Sequence, residues 1–353
     1  MKRLFPHIIF LFTIISPAGF SQNPRWALYN TRNSGLPDNR VYSVFIDSND
    51  VKWFCTADAV VRFDNKEWLS INRKSKKGAP LSIPRMCSTD GLGNLWIGTW
   101  GDGMSKAVLP SVVSKNSVKE IEWIQYDDNN SPLKSNILRA LCSDRDKRVW
   151  LATDDGLLRI AYINWDDESK GFDGTGIRWS VFDTANSGLP DNRILSAAID
   201  KRGVVWAGTF GGGLTKYDGM FWTVYNARNS LLPDNFILTI TVDDNNNKWI
   251  GTYNGGLVCF DGKNWTLYNK HNSSLPDNHV TIIGVDKKGV VFAGTRDSGL
   301  SEFDGKKWNP CRLFDSDAPY SVTSIAVDKF NNKWIGTGGG VVVYNAEGIN
   351  REQ

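Results

Sequence analysis

Nine side chains combine flat ring faces with charged hydrogen-bonding groups at two recurring places. Trp100, Asp154, Phe210, Tyr253 and Arg296 each stand directly after the Thr of a short Gly-Thr or Ala-Thr segment. Arg40, Arg193, Phe236 and His279 each stand directly before a β-branched segment. The same two places hold Ala57 and Gly338, and Ile83, Ile137 and Ser321. Everything around these positions repeats, whereas they vary. Aromatic rings stack on the apolar face of a pyranose while charged groups bond its hydroxyls, so the set has the chemistry of a sugar-binding surface. It also has the composition of a protein-binding hot spot. The alternative is that these side chains only plug a channel.

Other chemistry is less well supported. Beyond His7, the histidines are His271 and His279. A lyase could use His279 as acid or base, but nothing pairs with it at a readable spacing. Asp102, Asp154, Asp155 and Asp297 fall near the same place and could supply two close carboxylates for glycoside hydrolysis. An Asp-rich chain produces such neighbours by chance. Trp165-Asp166-Asp167-Glu168 has the composition of a protein contact or a weak calcium site, and a solvated loop is the simpler reading. The expectation is a binding protein and not an enzyme, with no catalytic residue, metal or cofactor.

The elements that must position these residues come from a repeat. A Trp that opens one segment recurs at Trp26, Trp68, Trp123, Trp179, Trp222, Trp265 and Trp308. A second aromatic recurs at Trp53, Trp96, Trp150, Trp206, Trp249, Phe292 and Trp334, each six residues after an Asp, from Asp47 to Asp328. Of fifteen Trp only Trp100 and Trp165 lie off these positions, so the Trp serve mainly as interior. Each unit reads as four short strands joined by Gly-, Asn- and Asp-rich turns. Asp-Gly and Gly-Gly supply the positive φ that tight hairpins need. Four-strand units of 40–50 residues repeated around a ring make a β-propeller. The repeated Asp is expected to bond local turn amides, and the Gly-Gly pairs, which precede no helix, are turns.

The predicted fold is therefore all-β, a seven-bladed propeller of four-stranded antiparallel blades. The segment Trp26-Ala27-Leu28-Tyr29-Asn30 has no blade before it, and the last unit lacks its fourth strand. The two complete each other, so the strand at about 25–30 closes the ring and removes its exposed edge. Insertions at roughly 108–120 and 162–176 lengthen blades 2 and 3 between their third and fourth strands. Both fall on the face opposite the nine side chains. Arg73 to Ser82 forms a basic linker, and residues 346–353 read as a frayed tail.

Asn33-Ser34-Gly35-Leu36-Pro37-Asp38-Asn39, Trp96-Ile97-Gly98-Thr99 and Gly255-Gly256-Leu257 resemble the two-component-regulator propeller repeat, over about residues 26–345. That family commonly forms the periplasmic sensor of hybrid histidine kinases linked to polysaccharide sensing. This sequence shows one ring and no kinase segment, so the kinase role is not carried over. The resemblance implies a relative that binds glycans or proteins.

Residues 1–21 read as a secretory signal peptide: Lys2 and Arg3, an apolar run from Leu4 to Ile15, and small residues at Gly19 and Ser21. One domain, 22–353, follows. Its 39 basic and 38 acidic residues argue against nucleic acid and against a polybasic membrane contact. An exported monomer, in the periplasm or outside the cell and without membrane insertion, is expected, with an oligosaccharide or a protein as ligand. Five cysteines, mostly within strands, do not suggest a disulfide framework.

Overall fold

In each blade an Asp ends the first strand and fixes the turn into the second. Asp243 shows how: its Oδ1 accepts the N–H groups of Asn245 at 2.9 Å and Asn247 at 2.8 Å, while its Oδ2 accepts the indole N–H of Trp249 at 2.9 Å. The turn is thus tied to the side chain that opens the interior. The same indole bond is made by Asp47, Asp90, Asp144, Asp200 and Asp328. The repeated Asp does cap its turn, and it also anchors the Trp six residues on.

The computed structural model describes residues 24–72, 83–162, 176–296, 298–311 and 321–349. The expected signal peptide, the basic linker, Asp297 and most of the blade 3 insertion, including Trp165, lie outside the described residues. Seven four-stranded antiparallel sheets form, six of them in simple sequential order. Blade 1 runs Val41–Ile46, Lys52–Thr56, Val60–Phe63 and Trp68–Ile71. Blade 4 runs Ile194–Ile199, Val205–Thr209, Leu214–Tyr217 and Trp222–Tyr225. In the seventh sheet Trp26–Tyr29 pairs outside Gly340–Tyr344, with Trp26 opposite Tyr344 and Tyr29 opposite Val341. The N-terminal strand closes the ring.

First strands of neighbouring blades meet around the axis. Second strands, such as Lys248–Thr252, are buried along their whole length. The interior is divided into seven apolar clusters, one between each pair of adjacent blades. Trp334 and Phe54 meet in the cluster that joins blade 7 to blade 1, so the closing interface is packed like the other six. The blade 2 insertion adds a short 3-10 turn, Ser117–Glu120, and plants Val118 and Ile121 in the cluster between blades 1 and 2.

One finding departs from the sequence reading, and a second lies outside it. Residues 345–349, expected to fray in part, form a turn: the Gly348 N–H bonds Asn345 O, the Ile349 N–H bonds Pro24 O, and Ile349 is buried. Three lysines at the start of second strands are interior. Lys52, Lys248 and Lys333 lie over Trp334, Trp206 and Phe292 of the preceding blade. Blade 6 carries Phe292 where the others carry Trp, so Asp286 has no indole donor. Lys333 Nζ sits 2.7 Å from that carboxylate instead.

Candidate functional site

The side chains singled out by sequence are set by two local devices. In the Leu-Pro-Asp-Asn connections, the Asp carboxylate accepts the N–H two residues on. Asp38, Asp191, Asp234 and Asp277 hold Arg40, Arg193, Phe236 and His279 in this way at 2.7, 2.9, 3.0 and 3.2 Å. These Asx turns fix where each lead-in residue leaves the chain. In the second device, the buried Thr ending the second strand closes the next loop. Thr209 Oγ1 donates to Gly213 O and Thr252 Oγ1 to Gly256 O, both at 2.8 Å. Gly256 itself sits at φ +94°, and an added Cβ would strike the carbonyl of Tyr268, so only glycine fits this bend. The residue after the Thr is thereby presented at the loop's start. The N–H groups of Phe210, Tyr253 and Arg296 bond back to the carbonyls of Arg193, Phe236 and His279, which joins the two devices in each of blades 4, 5 and 6.

On that side of the mouth the rings form one continuous arc. The Arg193 guanidinium lies 4.1 Å from the centre of Phe210, Phe210 meets Phe236 edge-on at 5.0 Å, Phe236 meets Tyr253 at 6.2 Å, and Tyr253 meets His279 at 4.4 Å. Phe210 and Tyr253 remain 40% and 41% exposed.

The rest of the predicted set separates. Trp100, 49% exposed, lies across the ring beside Arg85 and Arg139, at 4.4 and 5.5 Å. Asp154 forms a two-pronged ion pair with Arg139, at 2.8 Å for both contacts. Arg40 turns back onto its own Asp38 at 3.0 Å, and that carboxyl is held below its usual range by the guanidinium's hydrogen bond, against a smaller opposing effect of burial. Arg296 borders a cavity of about 380 Å³ together with Trp100.

That cavity shows what sequence reasoning missed. Its wall includes Tyr42, Arg85, Arg139, Thr281 and Thr323. Each is the second residue of a first strand, and at each the pairing register slips by one residue. Leu195 and Leu238 occupy the same slipped position in blades 4 and 5. A bulge leaves one residue out of the ladder and re-aims its side chain. The signal in the sequence was a position of fixed register that departs from the apolar pattern, reading Tyr, Arg, Arg, Leu, Leu, Thr, Thr around the ring.

Arg85 is the least usual of these groups. Its guanidinium lies 3.9 Å from the centre of Tyr42 as well as beside Trp100, and its buried Nε–H has no acceptor among the described residues. Burial lowers its pKa by penalising the charged form.

Elsewhere the chemistry is quiet. All five cysteines are free thiols, and burial pushes those of Cys142, Cys259 and Cys311 up to about 12. Among the described residues no group of three or more His, Cys, Asp or Glu is placed to hold a metal. No helix among them is long and apolar enough to cross a membrane.

Comparison with known proteins agrees with the repeat. Residues 188–211, from one Leu-Pro-Asp-Asn connection through the Thr209 loop, match the family model described as two component regulator propeller. The chain is similar in structure to the extracellular domain assigned to a hybrid two component system of B. thetaiotaomicron, with TM-score 0.69 and 22% identity, covering 91% of this chain and 41% of that one. It thus spans about two fifths of that relative. PorZ, an essential bacterial surface component of the type-IX secretion system of Porphyromonas gingivalis, gives TM-score 0.64 and 16% identity, over 88% of this chain and 47% of PorZ. A catalytically inactive virginiamycin B lyase from Staphylococcus aureus, solved with quinupristin, gives 0.66 and 10%, over 90% and 97%. At these identities the likeness is one of fold. No curated protein matches the sequence.

Proposed function

We propose that this chain is an exported, non-enzymatic binding propeller of the sensor type, and that its channel mouth takes an oligosaccharide. The observation that carries this reading is the arc from Arg193 through Phe210, Phe236 and Tyr253 to His279, on the mouth that also opens into the 380 Å³ cavity. Rings set at steep angles to one another and held by backbone bonds offer stacking faces at little entropic cost, and the flanking charged groups suit hydroxyls. The cavity has the size of a ligand pocket. Similarity to an extracellular two component domain supports an exported sensing or interaction role.

A lyase or hydrolase at the same mouth needs an acid and a base at liberty, and Asp154 is committed to Arg139. The protein-platform reading has its own support in the blade 2 insertion, where Val112 is 71% exposed.

The test is a thermal-shift screen of the purified protein against a panel of polysaccharide fragments, since a ligand of the folded state raises the melting point. A shift abolished in the Trp100→Ala/Tyr253→Ala double variant is the expected result. No shift with any sugar defeats the glycan reading and directs attention to the insertion. Shortened sugar products would make the protein an enzyme.

A further inference from the structure

Most arginines of the mouth are paired with carboxylates, but two that line the cavity are not. Arg40 is forked onto Asp38 and Arg139 onto Asp154. Arg85 and Arg296 both line the cavity, and neither has a carboxylate partner among the described residues. Arg85 is moreover fixed in place, held against the faces of Tyr42 and Trp100 with its Nε–H buried and unanswered. Ring faces compensate only part of the cost of withdrawing a guanidinium from water. A bound anion would supply the rest, and guanidinium–anion contacts are among the strongest hydrogen bonds available.

Resting on the glycan reading, we propose that the ligand is an anionic oligosaccharide, its carboxylate or sulfate groups seated at Arg85 and Arg296 and its uncharged ring faces stacked on the Phe210–Phe236–Tyr253 arc. Arg296 adjoins the His279 end of the arc, while Arg85 lies across the ring beside Trp100, so a ligand that reaches both is an oligomer and not a single sugar. Asp154 acts as a brake on this site, because it neutralises the third cation, Arg139.

Isothermal titration of the purified protein with three probes tests the assignment: tetragalacturonate, the same tetramer fully methyl-esterified, and a heparin tetrasaccharide. The esterified tetramer keeps the ring skeleton and removes the charge. Tetragalacturonate or the heparin fragment is expected to bind at least about tenfold tighter than the ester, whichever of the two wins naming carboxylate or sulfate as the recognised group. That margin should shrink as salt rises from about 50 to about 500 mM, where screening shortens to a few ångström. Arg85→Gln should erase the preference. Asp154→Asn, which unmasks Arg139, should strengthen binding of the charged probe by about threefold or more and leave the ester unchanged. A role of Asp154 in folding alone would not produce that gain. Equal binding of acid and ester overturns anion selection and leaves the glycan reading standing. No binding of any tetramer overturns both. A folded Arg85→Gln protein that keeps the preference overturns the assignment to Arg85.

Discussion

Asp243 collects four donors, two backbone N–H groups, the Asn247 amide and the Trp249 indole, inside a buried turn. Asp243→Ala would leave those donors facing an apolar methyl. It is expected to cost about 3 kcal/mol, since each unmet buried donor costs about 1–3 kcal/mol before relaxation. Trp249→Phe removes one donor and little area, and should cost about 1–2 kcal/mol on the same grounds. Chemical denaturation midpoints at constant m-value check both. Blade 6 is the natural control, because Phe292 is accommodated there by Lys333. Burial alone would raise the pKa of Asp286, but the hydrogen bond from Lys333, with backbone N–H bonds, wins and holds it below its ordinary 3.8. A depressed carboxylate stabilises the fold above its unfolded pKa, and this stability is lost as pH falls through the folded value. The Asp286 contribution is therefore complete above about pH 4 and disappears in stronger acid. Lys333→Met strands the carboxylate and should cost about 3 kcal/mol near neutrality. That deficit should shrink as pH falls, because burial then raises the pKa of the stranded carboxyl and protonation removes its charge, which a pH series of thermal melts would detect.

At the scale of elements, the strand Trp26–Tyr29 carries the closure. Its alternation divides it between two interfaces: Ala27 and Tyr29 pack toward blade 1, and Leu28 packs toward blade 6. Leu28→Asp would place a carboxylate in the second of these and is expected to lower stability by about 2–4 kcal/mol, read from a denaturation curve. Removing residues 22–30 should do more, exposing the edge of Gly340–Tyr344 to pairing with other copies. Size-exclusion chromatography would then show association where the full protein runs as one species. Closure was legible because two incomplete segments matched. The Asp-to-aromatic spacing and the Leu-Pro-Asp-Asn connections were equally readable, each being a local turn chemistry, the first repeated in seven copies and the second in four. What was not legible is instructive. The burial of Lys52, Lys248 and Lys333 was not read from the sequence, because one sequence does not reveal that a neighbouring blade supplies an aromatic face and, for Lys248 and Lys333, a carboxylate. Of the nine predicted site residues, five assemble into the arc because their Asx turns and Thr loops are local. Arg85 and Arg139 were overlooked because a polar residue off the apolar pattern does not by itself reveal the one-residue slip in pairing that turns it toward the cavity. Asp154, taken for a ligand contact, faces an arginine that the same slip turned toward it.

For the whole molecule, seven packed interfaces in a closed ring leave no natural place to begin coming apart. Loss of one blade exposes two clusters at once. The protein should melt in a single transition, with calorimetric and van't Hoff enthalpies in agreement. Asp243→Ala in blade 5 and Lys333→Met in blade 7 should each displace that one transition without splitting it. Two separate transitions would mean that the blades behave as an open array of neighbours. The bulge shared by all seven first strands has a further consequence. The residue each strand leaves out of its ladder is released from the pairing that holds the blade, although Thr281 and Thr323 still bond backbone carbonyls through their hydroxyls. Tyr42, Arg85, Arg139, Leu195 and Leu238 are in effect five exchangeable letters on one fixed frame. Rewriting Leu195 or Leu238 would change the word the mouth spells while the frame stays as it is, which makes this ring a starting point for engineered receptors.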